Sequence, residues 1–198
     1  MQAKLLIATG NPGKLRELCT LLSGIPFEIV SPSEVGVLSD ANEDGNTYEE
    51  NAIIKARTMA FKTKLLTLAD DSGLEVDALG GEPGIKSARF GGRGISDSER
   101  NALLLERLKD TPLTDRTAKF KCVIAIAEPG GRVETCSGEC AGLIAAEPAG
   151  NKNFGYDPVF YFPQLGKTMA ELSSDIKNRI SHRGQAAAKA RVLLESFR

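Results

Sequence analysis

Apolar residues recur with two different spacings in the first half of the 198-residue chain. Continuous apolar runs predict strands at 4–9 and 27–30, and the helical spacing of the residues between them predicts a helix that begins near Pro12. Two further helices are predicted to begin at residues 47–50 and 96–99, the first of them running to about Lys62, because both tetrapeptides match the Ser/Thr-x-x-Glu capping box. Strands and helices therefore alternate, as is typical of an α/β fold.

The spacing changes midway along the chain. Residues 117–127 and 132–146 predict two long strands, joined by a hairpin turn at the Pro-Gly-Gly sequence 129–131. A short strand at 159–162 and a closing amphipathic helix at 185–197 follow. We therefore predict one domain that spans the whole chain in two lobes, with a long mixed β-sheet flanked by helices. A ligand cleft is predicted between the lobes.

Composition and charge exclude some classes of function but do not identify one. Hydrophobic residues make up 41% of the chain and charged residues 26%, as in ordinary globular proteins. The net charge of −1, with both signs interspersed, argues against binding to nucleic acid. No apolar run reaches the roughly 18–20 residues that a membrane span needs, so no membrane partner is expected. No signal-peptide cleavage pattern follows Met1, and we expect a cytoplasmic protein.

The four cysteines are expected to be reduced and to take no part in the chemistry. Only Cys136 and Cys140 are close in sequence, and their spacing is wrong for a zinc site. The single histidine removes most other metal sites of this kind.

Two neighbouring acids, Asp70 and Asp71, follow an apolar run and precede Ser72-Gly73. Because Asp and Gly are common turn residues, the sequence predicts that a buried strand ends here and a turn begins. A solvated turn is the simpler interpretation of the pair. Carboxylates at the end of a strand can also bind a cation or activate water, and the other motifs decide between the two.

The sequence Gly10-Asn11-Pro12-Gly13-Lys14 lies between the first predicted strand and the first predicted helix. Asn11 suits the N-cap position and Pro12 the first helical position. A helix N-terminus and the charge of Lys14 both attract anions, so this segment is a candidate phosphate site as well as a possible plain turn. It is not a P-loop, which has four residues between its glycines.

Three other polar segments could complete a site. The acids Glu43-Asp44 lie in a loop before a predicted helix, where together with the two acids above they could bind a hard cation. Residues 153–158 (NFGYDP) place two aromatic rings and an acid around a glycine, which suits stacking on a heterocyclic base. Lys177 and residues 181–184 (SHRG) form a donor-rich segment before the last helix. Each segment also fits an ordinary loop, turn or helix start.

Taken together, these segments resemble a known family. In order, they read TGNPGK at 9–14, ENA at 50–52, ADDSG at 69–73, PGI at 83–85, SAR at 87–89, FGYDP at 154–158 and SHRG at 181–184. From the first strand to the last helix the chain resembles the noncanonical purine nucleoside-triphosphate pyrophosphatases, also called inosine/xanthosine triphosphatases or the Ham1-like family. The resemblance implies a homodimer with Mg2+ as cofactor. It would hydrolyse ITP, dITP and XTP to the monophosphate and pyrophosphate, and so remove deaminated purines from the nucleotide pool.

The resemblance also implies roles for individual residues around a nucleotide cleft between the lobes. Asp71 would be the general base and a metal ligand, and Glu43 would be the second metal ligand. Asp70 would assist with the metal or with orientation. The residues implied to contact substrate are Thr9, Gly10, Asn11, Pro12, Gly13 and Lys14 at the phosphates, Ser72, and Phe154, Gly155, Tyr156, Asp157, Lys177, His182 and Arg183 at the base.

Two positions depart from the family pattern. Relatives often have a pair of glutamates where this chain has Glu43 and Asp44, so Asp44 competes with Glu43 for the role of second metal ligand. Some relatives have Trp where this chain has Cys140, so local packing or the dimer surface is expected to differ there.

Two other functions stay open on the sequence. A related pyrophosphatase would act on modified pyrimidine nucleotides, and a panel of triphosphates would distinguish it. A nucleotide-binding module without catalysis would leave the acidic residues idle, and turnover of any triphosphate with magnesium would exclude it.

Overall fold

The structure, a computed structural model, describes residues 2–37, 44–92, 94–151 and 154–197. The strands are β1 (Ala3–Ile7), β2 (Phe27–Val30), β3 (Leu66–Val76), β4 (Thr117–Ala127), β5 (Val133–Ile144), β6 (Phe160–Phe162) and β7 (Lys167–Thr168). The α-helices are α1 (Pro12–Leu21), α2 (Tyr48–Thr63), α3 (Asp97–Arg107), α4 (Ser174–Ile180) and α5 (His182–Leu194). Among the described residues, no helix is both long and apolar enough to cross a membrane.

The strands form one mixed sheet in the order β2-β1-β3-β4-β5-β6-β7. β1 pairs in parallel with both β2 and β3, whereas β6 pairs antiparallel with β5 and β7. Strands alternate with helices through the first half, and the long β4–β5 hairpin follows. The predicted α/β fold with a mixed sheet flanked by helices is therefore confirmed.

Contacts within the chain group it into two compact units. Unit 1 contains Met1–Asp71, Cys122–Gly138 and His182–Arg198, and unit 2 contains Ser72–Lys121 and Glu139–Ser181. In both units, large apolar side chains that are fully buried form the core, and each unit is described by itself below. The predicted cleft between two lobes stays a prediction.

Unit 1 has a core on each face of its strands, because successive side chains of a strand point to opposite faces. In β1, Leu5 and Ile7 belong to the cluster that contains residues of α1 and α5. Leu6, between them, belongs to the cluster that contains Ala52 and Ala56 of α2. The continuous apolar run in β1 thus reflects burial on both faces.

The described residues of unit 2 form one core. It contains Leu74 and Val76 of β3, Leu104 of α3 and Phe160 of β6, all of them fully buried. The ring of Phe160 contacts that of Phe120 in β4, with 4.7 Å between the ring centroids. These contacts place α3 against the strands of its own unit.

Helix starts follow the sequence closely, because caps are local interactions. Asn11 is the N-cap of α1, with Pro12 at the first helical position. Ser96 forms the complete capping box with Glu99, as predicted. Thr47 accepts a hydrogen bond from the Glu50 N–H, but the Glu50 carboxylate accepts from the N–H of Asn46 instead of completing the box.

The prediction that a strand ends at Asp71 is wrong, since β3 continues to Val76. Asp, Ser and Gly favour a turn locally, but Leu74 and Val76 carry the apolar alternation onward into the core of unit 2. In the sheet β3 also lies next to β4, while β1 pairs with its first residues, Leu66–Leu68. Long-range pairing therefore outweighs the turn propensity.

Helix α5 begins at His182, three residues before the predicted start at residue 185, so His182 and Arg183 lie in its first turn. Gly138 of β5 permits the close approach of this helix. A Cβ at Gly138 would collide with the His182 carbonyl oxygen and lie 2.6 Å from the Ala186 nitrogen. Any side chain at residue 138 would displace the start of α5.

Candidate active site

At the N-terminus of α1, hydrogen bonds within the loop already occupy N–H groups that could otherwise bind an anion. The Asn11 side chain accepts hydrogen bonds from the N–H groups of Gly13 and Lys14, at 2.8 and 3.1 Å. The Asn11 N–H donates to Thr9 Oγ1 at 3.2 Å. These donors are therefore engaged within the loop, and the Lys14 ammonium and the helix dipole are the attractive groups that remain for a phosphate.

Asp70 is the centre of a buried charge cluster in unit 1. Its carboxylate is fully buried and lies 3.0 Å from the Lys14 ammonium. The Arg183 guanidinium donates to the same carboxylate from Nε and Nη2, both at 3.3 Å, and contacts Glu17 at 2.6 Å through Nη1. One strand and two helices, β3, α1 and α5, thus each contribute to one cluster.

Electrostatics keep Asp70 ionised despite its burial. Burial alone would raise the pKa of this carboxyl, but the charges of Lys14, Arg183 and Lys55 outweigh it and hold the pKa well below its ordinary value. Burial would likewise lower the pKa of the Arg183 guanidinium, yet the Asp70 and Glu17 carboxylates raise it overall. Both partners therefore stay charged at neutral pH.

Lys55 of α2 is a further buried cation in this unit, only 8% exposed. Its ammonium donates to the Asp70 carbonyl oxygen at 2.9 Å and so fixes the backbone at the Asp70–Asp71 peptide. The sequence analysis missed both Lys55 and Glu17. Lys55 lies on the same helical stripe as Ala52, Ala56 and Met59, and a lysine on an apolar stripe is the signal that could have found it.

Asp71 is buried at 7% exposure and points to the opposite face of β3 from Asp70, because strand side chains alternate. Ala69, two residues earlier on that face, packs in the cluster formed with α2. The acidic segment Glu43-Asp44 precedes α2 in sequence. Asp71 therefore lies on the face of β3 that packs with α2, opposite to the face of the Asp70 carboxylate.

The acidic segment is only partly described. Glu43, the predicted second metal ligand, lies outside the described residues, whereas Asp44 is described and exposed. Two side chains of α2 hold the backbone just after it: Asn51 Oδ1 accepts from the Gly45 N–H at 2.9 Å, and Glu50 accepts from Asn46 at 2.6 Å. A Cβ at Gly45 would lie 2.9 Å from Asn51 Oδ1, so this loop end is tightly packed.

The described residues contain no group of three or more His, Cys, Asp or Glu side chains arranged to hold a metal ion. That is compatible with magnesium, which commonly binds one or two protein carboxylates together with substrate phosphates. Asp71 has the hard oxygen donors that magnesium prefers. Asp70 is less suitable, because Lys14 and Arg183 already neutralise its charge.

Within unit 2, the structure brings together Phe154, Asp157 and Lys177. The Lys177 ammonium lies 2.5 Å from the Asp157 carboxylate and 5.3 Å from the centroid of the Phe154 ring. Tyr156 is buried and donates from its hydroxyl to the Ser87 carbonyl oxygen at 2.9 Å. The aromatic residue that faces this cation is therefore Phe154, while Tyr156 packs into the core of its unit.

His182 and Arg183 belong to unit 1, where both are buried. Ser72 follows Asp71 directly in β3 and is half-buried.

The cysteines form no disulfide. Burial raises the pKa of Cys122 to about 12 and that of Cys136 to about 11, which keeps both thiols protonated, in line with the prediction that they are reduced.

Comparison with known proteins identifies the class. Residues 5–192 match the model of the Ham1 family. The dITP/XTP pyrophosphatase of Desulforamulus reducens is 51% identical, with 96% of this chain and 95% of that protein covered, and the one from Bacillus subtilis is 44% identical, with 96% of each covered. A HAM1 protein from Coxiella burnetii superimposes with a TM-score of 0.88 at 42% identity, covering 98% of this chain and 99% of the other.

The chain belongs to the Ham1 family of α/β proteins. The family resemblance drawn from the sequence motifs is thereby confirmed.

Proposed function

We propose that the protein is a nucleoside-triphosphate pyrophosphatase that hydrolyses dITP, XTP and ITP to the monophosphate and pyrophosphate. The observation that carries the proposal is the different environment of two adjacent carboxylates. Asp70 is neutralised by Lys14 and Arg183, whereas Asp71 lies on the other face of β3. The relatives named dITP/XTP pyrophosphatases, which match nearly the whole chain, support the choice of substrate.

Asp71 acts as the general base in this proposal. Its carboxylate takes a proton from a water molecule whose oxygen forms a bond to the α-phosphorus. The bond between the α-phosphorus and the bridging oxygen breaks, and that oxygen leaves with the pyrophosphate. Lys14 binds the phosphate chain, and Asp70 holds the Lys14 ammonium in place at 3.0 Å.

The residues proposed to hold magnesium are Asp71 and Glu43, with Asp44 as the competitor of Glu43. When bound, the ion supplies positive charge that offsets the charge of the leaving pyrophosphate. Direct Mn2+ binding to the variants Glu43→Gln and Asp44→Asn distinguishes the two acids. Only the variant that lacks the true ligand is expected to bind the ion more weakly.

The preference for particular bases follows from the hydrogen-bond donors and acceptors that each base carries. Hypoxanthine and xanthine have a 6-keto acceptor where adenine has an amino donor. We propose that Phe154 stacks on the base and that Lys177, His182 and Arg183 supply donors, because lysine and arginine can only donate. Facing adenine, such a donor is left without an acceptor, and that mismatch discriminates strongly.

The position of the broken bond tests the proposed reaction. With 18O-labelled water, we expect the label to enter the monophosphate and the other product to be pyrophosphate. Mass spectrometry of the products of dITP hydrolysis measures this directly. Label in orthophosphate, formed together with a nucleoside diphosphate, would contradict the proposal.

An Arg183→Ala variant tests base reading. We expect kcat/KM for dITP to fall much more than kcat/KM for dATP, because the lost donor is useful only to the 6-keto base. Steady-state kinetics on the two substrates provide the measurement. An equal fall for both would assign Arg183 to its ion pair with Asp70 rather than to the base.

The homodimer and the cytoplasmic location implied by the sequence analysis remain predictions. Light scattering of the purified protein measures the oligomeric state, and a monomer at working concentrations would contradict the dimer.

A further inference from the structure

Gly155 lies within the segment 154–157 and has a φ of +64°, a conformation that glycine adopts without steric cost. Since glycine has no side chain to pack, other groups must keep it in place. Two side chains of helix α3 keep it in place, one at its N–H group and one at its carbonyl oxygen. The Asp97 carboxylate accepts from the Gly155 N–H at 2.7 Å, and Asn101 Nδ2 donates to the Gly155 carbonyl oxygen at 3.0 Å.

The two side chains are four residues apart, so they lie on the same face of α3. The helix that carries them is itself well fixed. Arg100, only 8% exposed, contacts Asp97 at 2.9 Å and donates to the Phe90 carbonyl oxygen at 3.2 Å. Asn101 is 4% exposed. The hydrogen bonds to Gly155 are therefore made from a rigid element.

The position of Gly155 sets the positions of its neighbours. Phe154 precedes it, and Asp157 follows two residues later. Lys177 contacts both of these side chains, the carboxylate at 2.5 Å and the ring centroid at 5.3 Å. The segment 154–157 is thus held at its backbone by α3 and at its side chains by Lys177, all within unit 2.

We infer that Asp97 and Asn101 are positioning residues that set the base specificity of the enzyme. The inference rests on the proposed function, in which the segment 154–157 binds the base. With Gly155 fixed, Phe154 and Asp157 are arranged before the base arrives. Without the two hydrogen bonds, a base that binds must also order a flexible glycine segment. That cost weakens binding of the base and reduces the discrimination between bases.

The test compares Asp97→Ala and Asn101→Ala with the wild-type protein. For each variant we expect kcat/KM for dITP to fall about fivefold to tenfold, the effect of one hydrogen bond, mainly through KM. The fall for dATP is expected to be smaller, so the preference for dITP decreases. Hydrolysis of an abasic deoxyribose triphosphate is expected to stay at the wild-type rate, because that substrate has no base.

Two further variants separate positioning from folding. Asp97→Asn keeps an oxygen acceptor for the Gly155 N–H and is expected to restore the preference for dITP. Ser96→Ala removes the capping box at the same end of α3 without a contact to Gly155. It is expected to lower the Tm and leave the preference unchanged. Asn101→Ser, with a shorter side chain, replaces Asn101→Ala if that variant does not fold.

The possible outcomes are distinct. A lower Tm in both alanine variants, with the wild-type ratio of dITP to dATP efficiency, would make the contacts purely structural and overturn the inference alone. Equal losses on dITP and on the abasic substrate would overturn it as well. A wild-type protein with no preference for dITP over dATP would overturn the proposed function, and this inference with it.

Discussion

Asp71→Asn is expected to remove nearly all pyrophosphatase activity from a protein that still folds. The amide keeps the shape of the side chain but loses the basicity needed to accept a proton from water and the charge needed to bind a cation. General-base catalysis typically contributes about 10²–10⁴-fold, and we expect a loss of that order in kcat for dITP. Steady-state release of pyrophosphate measures the loss, and circular dichroism checks the fold.

Asp77→Asn is the matched control for this experiment. Asp77 directly follows β3, is exposed, and accepts a hydrogen bond from the Thr117 hydroxyl at 2.7 Å. It should keep wild-type activity, since the same chemical change is made away from the proposed site. Retention of more than about a tenth of the rate by Asp71→Asn, a loss below ~1.4 kcal/mol, would show that Asp71 is not the base.

Asp70→Ala is expected to have the largest effect on stability. It leaves the Lys14 and Arg183 charges without their shared carboxylate in a buried site. Breaking a buried ion pair from one side costs about 3–5 kcal/mol, and we expect the free energy of unfolding to fall by that amount. Urea denaturation followed by fluorescence or circular dichroism provides the measurement. A loss below about 1 kcal/mol would mean that the cluster contributes as little as a surface ion pair.

The same carboxylate predicts how stability depends on pH. The pKa of Asp70 is lower in the folded protein than the value of about 3.9 for an unfolded chain, so the unfolded state binds the proton first as the pH falls. Its contribution to stability is complete above about pH 4 and is lost progressively below it. Asp70→Asn, which cannot titrate, is expected to show a shallower decline in this range. Identical slopes for the two proteins would contradict the assignment.

Local features of the fold were predictable, because their causes lie within a few residues. Asn11 and Pro12 define the start of α1, and Ser96 with Glu99 defines the start of α3. The apolar alternation and the Pro-Gly-Gly turn define the β4–β5 hairpin. In each case the interaction that fixes the element can be identified from its own sequence.

The partners of the candidate site were not predictable in the same way. Asp70 contacts Lys14 and Arg183, which are far from it in sequence, and only the packing of α1 and α5 on the sheet brings them together. The continuation of β3 past Asp71 likewise depends on strand neighbours rather than on the turn residues themselves. The motifs pointed to the correct family, and strand alternation predicts that neighbouring side chains face opposite sides, but the sequence could not reveal that Lys14 and Arg183 neutralise Asp70.

The position of Asp71 in the middle of β3 has a consequence for motion. Here β3 lies next to β4 in the sheet, and the buried Lys55 ammonium donates to the Asp70 carbonyl oxygen at 2.9 Å, so we expect this backbone to belong to the slowly opening part of the protein. The amide protons around Asp71 should therefore be among the slowest to exchange with deuterated solvent. We therefore expect a rearrangement that admits a nucleotide to occur in other segments rather than at Asp71.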